Sequence, residues 1–479
     1  MTSTKTKTLV YGLGGGAALI VITVVALWWR GSTDHTEQFN AMATAHKARQ
    51  WPRAAPPKGA SWLPGSAADL YKAAYTKAQD KGLEDEDDKK ALGESIKSIT
   101  LQKTEAAKPQ NTQTPPQCVQ DLGLPSDDAA GLHLTEGVCR WIVQMRPAMK
   151  EILEGSKRAD AISPLGYWDP WSVEPDKPDQ PRLMIPLIEL TKAMLIDAYA
   201  DGHRKAHGQQ VAKIMAVARM GQDMGHGAGV LGTMLGVYML DNALEVLRGE
   251  LVNNTLPAEL LGPLLLDLDQ LERGHWSMHS AYQTEFFYIM PTLAPEEDLI
   301  QGPMESMTFQ NPPNLFERLL YGNIANTCFT FWTRVLDGID TPSYKARAAH
   351  HQKVADDFSN SLDPSAKIIS LSHTASFDKG QTSARANLRM TLWMVAARLY
   401  QHQHGGQWPS ASTATAELGK LLPGGPLSDP FEDDAPLEIV IKDGAITMTF
   451  PSHRNTDLYD PSHSSEAPRH ARLSATLKP

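Results

Sequence analysis

The stretch Leu183–Gly202, LMIPLIELTKAMLIDAYADG, favours a helical fold for the middle of this chain. Apolar side chains run to Ala200 with few interruptions, which is typical of a helix buried in a core. The pair Asp201-Gly202 predicts the end of this helix, because glycine accepts the left-handed conformation that closes many helices.

Long apolar segments continue on the C-terminal side of this helix. Further helices are predicted over His203–Met224 and Val230–Val252, and Thr255 is expected to cap the next one, with Pro257 in its first turn. Long helices joined by short turns must pack antiparallel. The expected fold is therefore mainly α, an array of helical hairpins that is repeat-like without a clean repeat period.

Composition divides the chain into six parts. These are a cytoplasmic tail (1–8), a transmembrane helix (9–29), a juxtamembrane linker (30–65), a helical domain (66–365, with 82–117 flexible), a helix plus β-hairpin module (381–451) and a disordered tail (452–479). The linker is polar and proline-rich, which suits a spacer that holds a domain away from a membrane.

The anchor is predicted from the uncharged run Leu9–Trp29, LVYGLGGGAALIVITVVALWW. A helix needs about 20 apolar residues to cross the hydrocarbon core of a bilayer. The run ends at Trp28-Trp29 and Arg30, without the small-residue cleavage site of a signal peptide, so we expect it to stay attached.

The charges that flank this run predict its orientation. Lys5 and Lys7 precede it without any acidic residue, which favours a cytoplasmic N-terminus and a periplasmic bulk of the chain. Gly12 and Gly16 have the spacing that lets two membrane helices approach closely, although small residues are also common in membrane helices for other reasons.

The composition excludes one class of partner. The net charge is −10 at pH 7 and 42% of the residues are hydrophobic, which is enough for a sizeable core. The acidic residues are spread along the chain, and no stripe of lysine and arginine offers a basic face for phosphates. We therefore expect no nucleic-acid partner.

The chain has three cysteines, two of which could form a disulfide bond. Cys118 and Cys139 bracket a short loop-rich segment, and a bond between them would suit an oxidising exterior; three unrelated thiols are the alternative. Cys328 lies in an apolar run and is expected to be a small buried hydrophobe.

The C-terminal module carries an arginine-bearing helix and a hairpin. Leu388, Leu392, Val395 and Leu399 form an apolar stripe, whereas Arg385, Arg389 and Arg398 are expected to face mostly elsewhere. Asp443-Gly444 between two β-rich runs predicts a tight hairpin. Because two strands alone are unstable in water, we expect Trp408 and Phe431 to bury against the helix beneath this hairpin.

The order of these pieces resembles a large group of uncharacterised, membrane-anchored bacterial proteins. The elements that carry the resemblance are Arg389 and Arg398, Tyr400, Gly406, Trp408-Pro409, Leu418 to Leu422, Asp429-Pro430-Phe431 and the hairpin. The resemblance implies a fold and a location but no activity. The module is also similar to the C-terminal half of type II secretion pseudopilins, but the chain lacks their leader.

Candidate catalytic and metal-binding residues are few. His203 and His207, and likewise His275 and His279, are four residues apart, the spacing at which a helix presents two imidazoles to one metal. The positive charges of Arg204 and Lys205, beside the first pair, would repel a metal cation. Gly227-x-Gly229-x-x-Gly232 matches a dinucleotide fingerprint by letter, but that fingerprint needs a preceding strand, and the glycine spacing favours close helix packing instead.

No catalytic constellation is predicted, and no cofactor. Glu285, beside Phe286-Phe287-Tyr288, is either a buried carboxylate with a raised pKa or an ion-pair partner of Arg273 or Arg318. The expected function is an anchored, extracytoplasmic helical scaffold that binds another envelope protein or a second copy of itself. The alternatives are an exported metal- or glutamate-dependent enzyme and a pseudopilin-like assembly component; the sequence indicates no small-molecule ligand.

Overall fold

The computed structural model describes most of the chain between residues 61 and 454. The described residues are 41–42, 44–45, 54–56, 61–83, 85–101, 118–125, 132, 134–160, 184–227, 229–275, 278–293, 315–341, 343–361, 374–432, 435–454 and 474–479. Within them, no helix has the length and apolar character needed to span a membrane. The predicted anchor, 9–29, lies outside the described residues.

The chain is mainly helical, as predicted, with a small sheet near its C-terminus. The helices of the described part are α1 (Ala67–Gln79), α2 (Glu86–Leu101), α3 (Cys118–Leu122), α4 (Glu136–Gly155), α5 (Met184–His203), α6 (His207–Met224), α7 (Val230–Val252), α8 (Ala258–Arg273), α9 (Met278–Leu293), α10 (Leu315–Ile339), α11 (Tyr344–Ser359), α12 (Thr374–Gln403) and α13 (Ala414–Gly419). The strands are β1 (Leu63–Ser66), β2 (Arg158–Asp160), β3 (Glu438–Lys442), β4 (Ala445–Thr449) and β5 (Ser474–Leu477).

Contacts divide the chain into two compact units. One comprises residues 1–49, 282–340 and 349–374, and the other comprises 50–281, 341–348 and 375–479. In the first unit, aromatic side chains pack edge to face: Phe331 contacts Phe358 at 5.2 Å and Phe286 contacts Phe329 at 5.5 Å between ring centroids. Cys328 is buried beside them, as predicted, and burial raises the pKa of its thiol to about 12.

The core of the second unit includes a backbone-to-backbone contact between α6 and α7. A Cβ atom built on Gly236 would lie 2.3 Å from the main-chain oxygen of Gly221. The glycine-rich run therefore serves close helix packing at these two positions. Since helix α6 precedes the Gly227 motif, the strand that a dinucleotide fingerprint requires is absent from this position.

Two predicted helix ends are wrong. Helix α5 continues through Gly202 to His203, and Lys205 takes the left-handed conformation with φ of 60°. Gly202 serves packing, because a Cβ there would lie 2.5 Å from Nε2 of Gln210. Helix α8 begins after Pro257, and the Thr255 hydroxyl donates to the main-chain oxygen of Glu250 instead of capping the helix.

The C-terminal module is a three-stranded antiparallel sheet beside α12. The β3–β4 hairpin is confirmed, with φ of 53° at Asp443 and 77° at Gly444. The expectation that residues 452–479 are disordered is wrong for Ser474–Leu477, which form β5 on the free edge of β4. Pairing across the sheet supplies the partners that this short polar segment cannot find locally.

The aromatic residues of the module lie only partly where they were expected. Phe431 is buried against Tyr344 and Ala386 of the second unit. Trp408 is half-buried, and its indole N–H donates to the main-chain oxygen of Gly444 at 2.8 Å. The fully buried indole is that of Trp393, which donates to the main-chain oxygen of Leu427 at 3.0 Å.

Candidate functional site

Neither histidine pair lies on a single helix. His203 ends α5 and His207 begins α6, so the turn between them breaks the helical spacing. His275 lies between α8 and α9, and His279 is in the first turn of α9. In each pair, the two histidines therefore do not lie on one continuous helix, which the i, i+4 spacing for a shared metal requires.

His203 and His207, the first pair, are exposed and half-buried, respectively, and each contacts a neighbouring side chain. His203 contacts the Tyr199 ring at 4.7 Å, and Nδ1 of His207 lies 3.1 Å from Oε1 of Gln210. Among the residues that the structure describes, no three His, Cys, Asp or Glu side chains form a group that could hold a metal ion.

His275 lies in a buried, positively charged environment. Both of its ring nitrogens are shielded from solvent. Burial, together with the positive charges of Arg385 and Arg389 and the nearby His226, holds the pKa of His275 well below its usual range. The imidazole is therefore neutral in the folded chain at neutral pH.

This environment predicts a pH dependence of stability. The folded pKa of His275 is below the unfolded value, so the unfolded chain binds one more proton as the pH falls through about 6.5. We expect the free energy of unfolding to decrease below that pH, with a slope of up to about 1.4 kcal/mol per pH unit from this residue.

Urea unfolding at a series of pH values measures this slope. His275→Gln, which removes the ionisable group, should reduce this slope. An identical pH dependence in the His275 variant and the native chain would contradict the prediction.

Glu272 joins α8 to α12 beside this histidine. Its Oε1 atom accepts from Nε of Arg385 and from Nε of Arg389, each at 2.8 Å. Arg389 also donates to the main-chain oxygen of Ser428, also at 2.8 Å. One carboxylate thus bridges two arginines one turn apart on α12, which is a structural cross-link between helices.

A second charged cluster lies within the helical core. Asp197 and Asp201, both buried on α5, share Lys213 of α6, whose Nζ is 2.6 Å from Oδ2 of Asp201. Arg146 approaches Asp197 at 3.0 Å, and Arg204 pairs with Asp201. Three cations thus offset the negative charges of two buried carboxylates, which is typical of a structural network.

The remaining sequence candidates lie partly outside the described residues. Glu285 is in α9, but its side chain is outside them, so its role stays a prediction; Arg273 pairs with Asp269 at 2.9 Å. Cys139 is buried in α4, which packs against α3, where Cys118 lies. The side chain of Cys118 is outside the described residues, so the disulfide stays a prediction.

An exposed apolar face on α7 was not found from the sequence. Met234 and Tyr238, one turn apart, are 46% and 40% exposed. The Lys192 ammonium lies 5.8 Å from the centre of the Tyr238 ring. Apolar residues occupy every side of α7, so their periodicity does not mark which side faces solvent.

Charged residues of both signs lie on the two helices that pack on α7. Lys192 and Glu189 are on α5, and Lys89 and Glu86 are on α2, two helices that pack on each other and on α7. Burial raises the pKa of the Glu189 carboxyl, while Lys89 and Lys192 act in the opposite direction. Met234 and Tyr238 with these four charged residues are called the α7 face below.

No known protein family, curated protein or solved structure matches this chain.

Proposed function

We propose that this chain is a membrane-anchored, extracytoplasmic scaffold of repeat-like helical hairpins, and that it binds a second copy of itself through the α7 face. The observation that carries this proposal is the exposure of Met234 and Tyr238 side by side on α7. Methionine and tyrosine are enriched at the centres of protein interfaces, where charged residues are depleted. The Lys192 ammonium lies beside Tyr238, as charged groups do at the rim of an interface.

The arrangement of charge favours a second copy over an unrelated partner. An interface between two identical chains related by a two-fold axis brings the same surface of each chain together. Lys192, which lies beside Tyr238, interacts electrostatically with Glu189, and Glu189 interacts in turn with Lys89 and Glu86. Neighbouring charges of both signs suit a two-fold interface, because the lysines of one copy can lie opposite the glutamates of the other.

Replacing Tyr238 by aspartate is therefore expected to weaken self-association of the full chain at least tenfold. Loss of a central aromatic contact costs about 2 kcal/mol or more, and about 1.4 kcal/mol corresponds to a tenfold change in affinity. Analytical ultracentrifugation of the full chain in detergent micelles measures the dissociation constant. Val440→Asp, at a position 56% exposed on β3, is the matched control.

The anchor needs its own control, because Gly12 and Gly16 offer a second route to self-association. The measurement is repeated in a chain with leucine at both positions, in which contacts between membrane helices are blocked. A monomeric chain, or a dimer that Tyr238→Asp leaves intact in both backgrounds, would overturn the proposal.

The proposed location has a separate test. A reporter enzyme that is active only in the periplasm should be active when fused after Pro479, and a cytoplasmic reporter there should be silent. The fusion is placed after β5 because a junction at Phe450 would remove that strand from the sheet. The opposite pattern of activity would reverse the orientation.

A further inference from the structure

The segment Ser474–Pro479 fills a groove of the C-terminal module. Its strand, β5, pairs with β4 from Ser474 opposite Thr449 to Leu477 opposite Ile446. The side chains of Ala475 and Leu477 point into the core, and Leu477 is 0% exposed. The residue between them, Thr476, is exposed, and its hydroxyl lies 3.0 Å from that of Thr447.

Two arginines line this groove and bind the main chain of the segment. Arg248 of α7 donates to the main-chain oxygen of Ser474 at 3.1 Å. Arg398 of α12, which is 1% exposed, donates to the main-chain oxygen of Lys478 at 2.7 Å. The two guanidinium groups thus hold both ends of β5.

The rest of the fold positions these arginines. Arg398 also donates to the main-chain oxygens of Leu251 and Val252 at the end of α7, at 2.8 and 3.0 Å. Arg248 donates to the side-chain oxygen of Asn387 at 2.8 Å. Helices α7 and α12 thus hold both guanidinium groups. The hydrogen-bond donors of the groove are therefore positioned even without the segment.

These contacts define the kind of ligand that the groove accepts. The arginines and the β4 edge bind main-chain groups, which every extended peptide presents, and two apolar positions bind alternate side chains. This combination is the strand-addition mode of peptide recognition, in which main-chain hydrogen bonds supply affinity and alternate pockets supply specificity.

We propose that the groove formed by β4, Arg248 and Arg398 is a strand-binding site whose ligand is Ser474–Pro479, and that it also binds this segment as a separate peptide. The contacts given above are made by the segment itself, so they do not require its covalent connection to β4. This site is distinct from the α7 face, and its test is independent of self-association.

The test uses the full chain with a specific protease site inserted between Ser464 and Ser465. After cleavage, the fragment that carries β5 should co-elute with the rest of the chain in size-exclusion chromatography. A fluorescently labelled peptide of sequence SATLKP should bind the cleaved chain by fluorescence anisotropy after the fragment is exchanged, and unlabelled peptide should displace it.

Two peptide variants distinguish strand binding from a non-specific contact. Leu477→Asp in the peptide should weaken binding at least tenfold, because it places a charge at a buried position. Lys478→Gln, at an exposed side chain, should bind like the original peptide.

Three results would overturn the proposal. The first is a cleaved chain that, after the fragment has been removed, keeps its thermal unfolding curve and binds no peptide. The second is a cleaved chain that unfolds even with excess peptide, which would show that the groove does not exist apart from the covalent connection. The third is equal binding of the Leu477→Asp and original peptides.

Discussion

Replacing Trp393 by alanine is expected to lower the free energy of unfolding by about 3–5 kcal/mol. The indole is 0% exposed on α12, and its N–H donates to the main-chain oxygen of Leu427 at 3.0 Å. The substitution removes the largest kind of apolar side chain, leaves a cavity and removes the donor for a carbonyl of the loop before β3. Urea unfolding followed by circular dichroism measures the change.

Trp408→Ala is the matched control for this prediction. Trp408 is half-buried and close to solvent, with its N–H on the main-chain oxygen of Gly444. We therefore expect it to cost clearly less than Trp393→Ala, although Trp408 is the more conspicuous residue in the sequence because proline follows it. Equal losses for the two variants would show that the module is not packed around Trp393.

Replacing Gly236 by alanine is expected to destabilise the helical core by about 1–3 kcal/mol or more, the range for over-packed interiors. The added Cβ would lie 2.3 Å from the main-chain oxygen of Gly221. The obstacle is backbone rather than the end of a flexible side chain, so α6 and α7 must separate to admit it. Thermal and urea unfolding measure the loss.

Gly93→Ala is the matched control: it is the same substitution, but we expect it to change the free energy of unfolding in the opposite direction. Gly93 lies inside α2, and a Cβ atom added there would meet nothing within 4 Å beyond its own helix backbone and chain neighbours. Alanine is favoured over glycine in a helix by about 1 kcal/mol, so this variant should be slightly more stable than the native chain. If both alanine variants changed stability in the same direction, the close contact between α6 and α7 would be in doubt.

Arg398 illustrates a limit of periodicity. The apolar stripe of α12 correctly predicted that Leu388, Leu392 and Val395 are buried, but it also predicted that Arg398 faces elsewhere. The arginine is buried because its acceptors are main-chain oxygens at the end of α7, at Leu251 and Val252. Burial lowers the pKa of Arg398 to about 10, which leaves it charged at neutral pH.

Periodicity also misled the prediction of functional sites: it indicated histidine pairs that do not share a helix, and it gave no signal for the exposed face of α7. The two histidine pairs were identified from a spacing that has meaning only on a continuous helix, and neither pair lies on one helix. The α7 face was not identified, since a helix that is apolar on every side gives no signal for the side left exposed.

The sequence by itself determined the features that depend on neighbouring residues. Helix α7 spans Val230–Val252 as predicted, and the hairpin turns at Asp443-Gly444, because helix formation and tight turns follow from the conformational preferences of a few adjacent residues. The tertiary structure alone decided which side of α7 is exposed, where Arg398 finds its acceptors and that Ser474–Leu477 becomes a strand. Each of these depends on partners far away in the chain, and no local pattern encodes them.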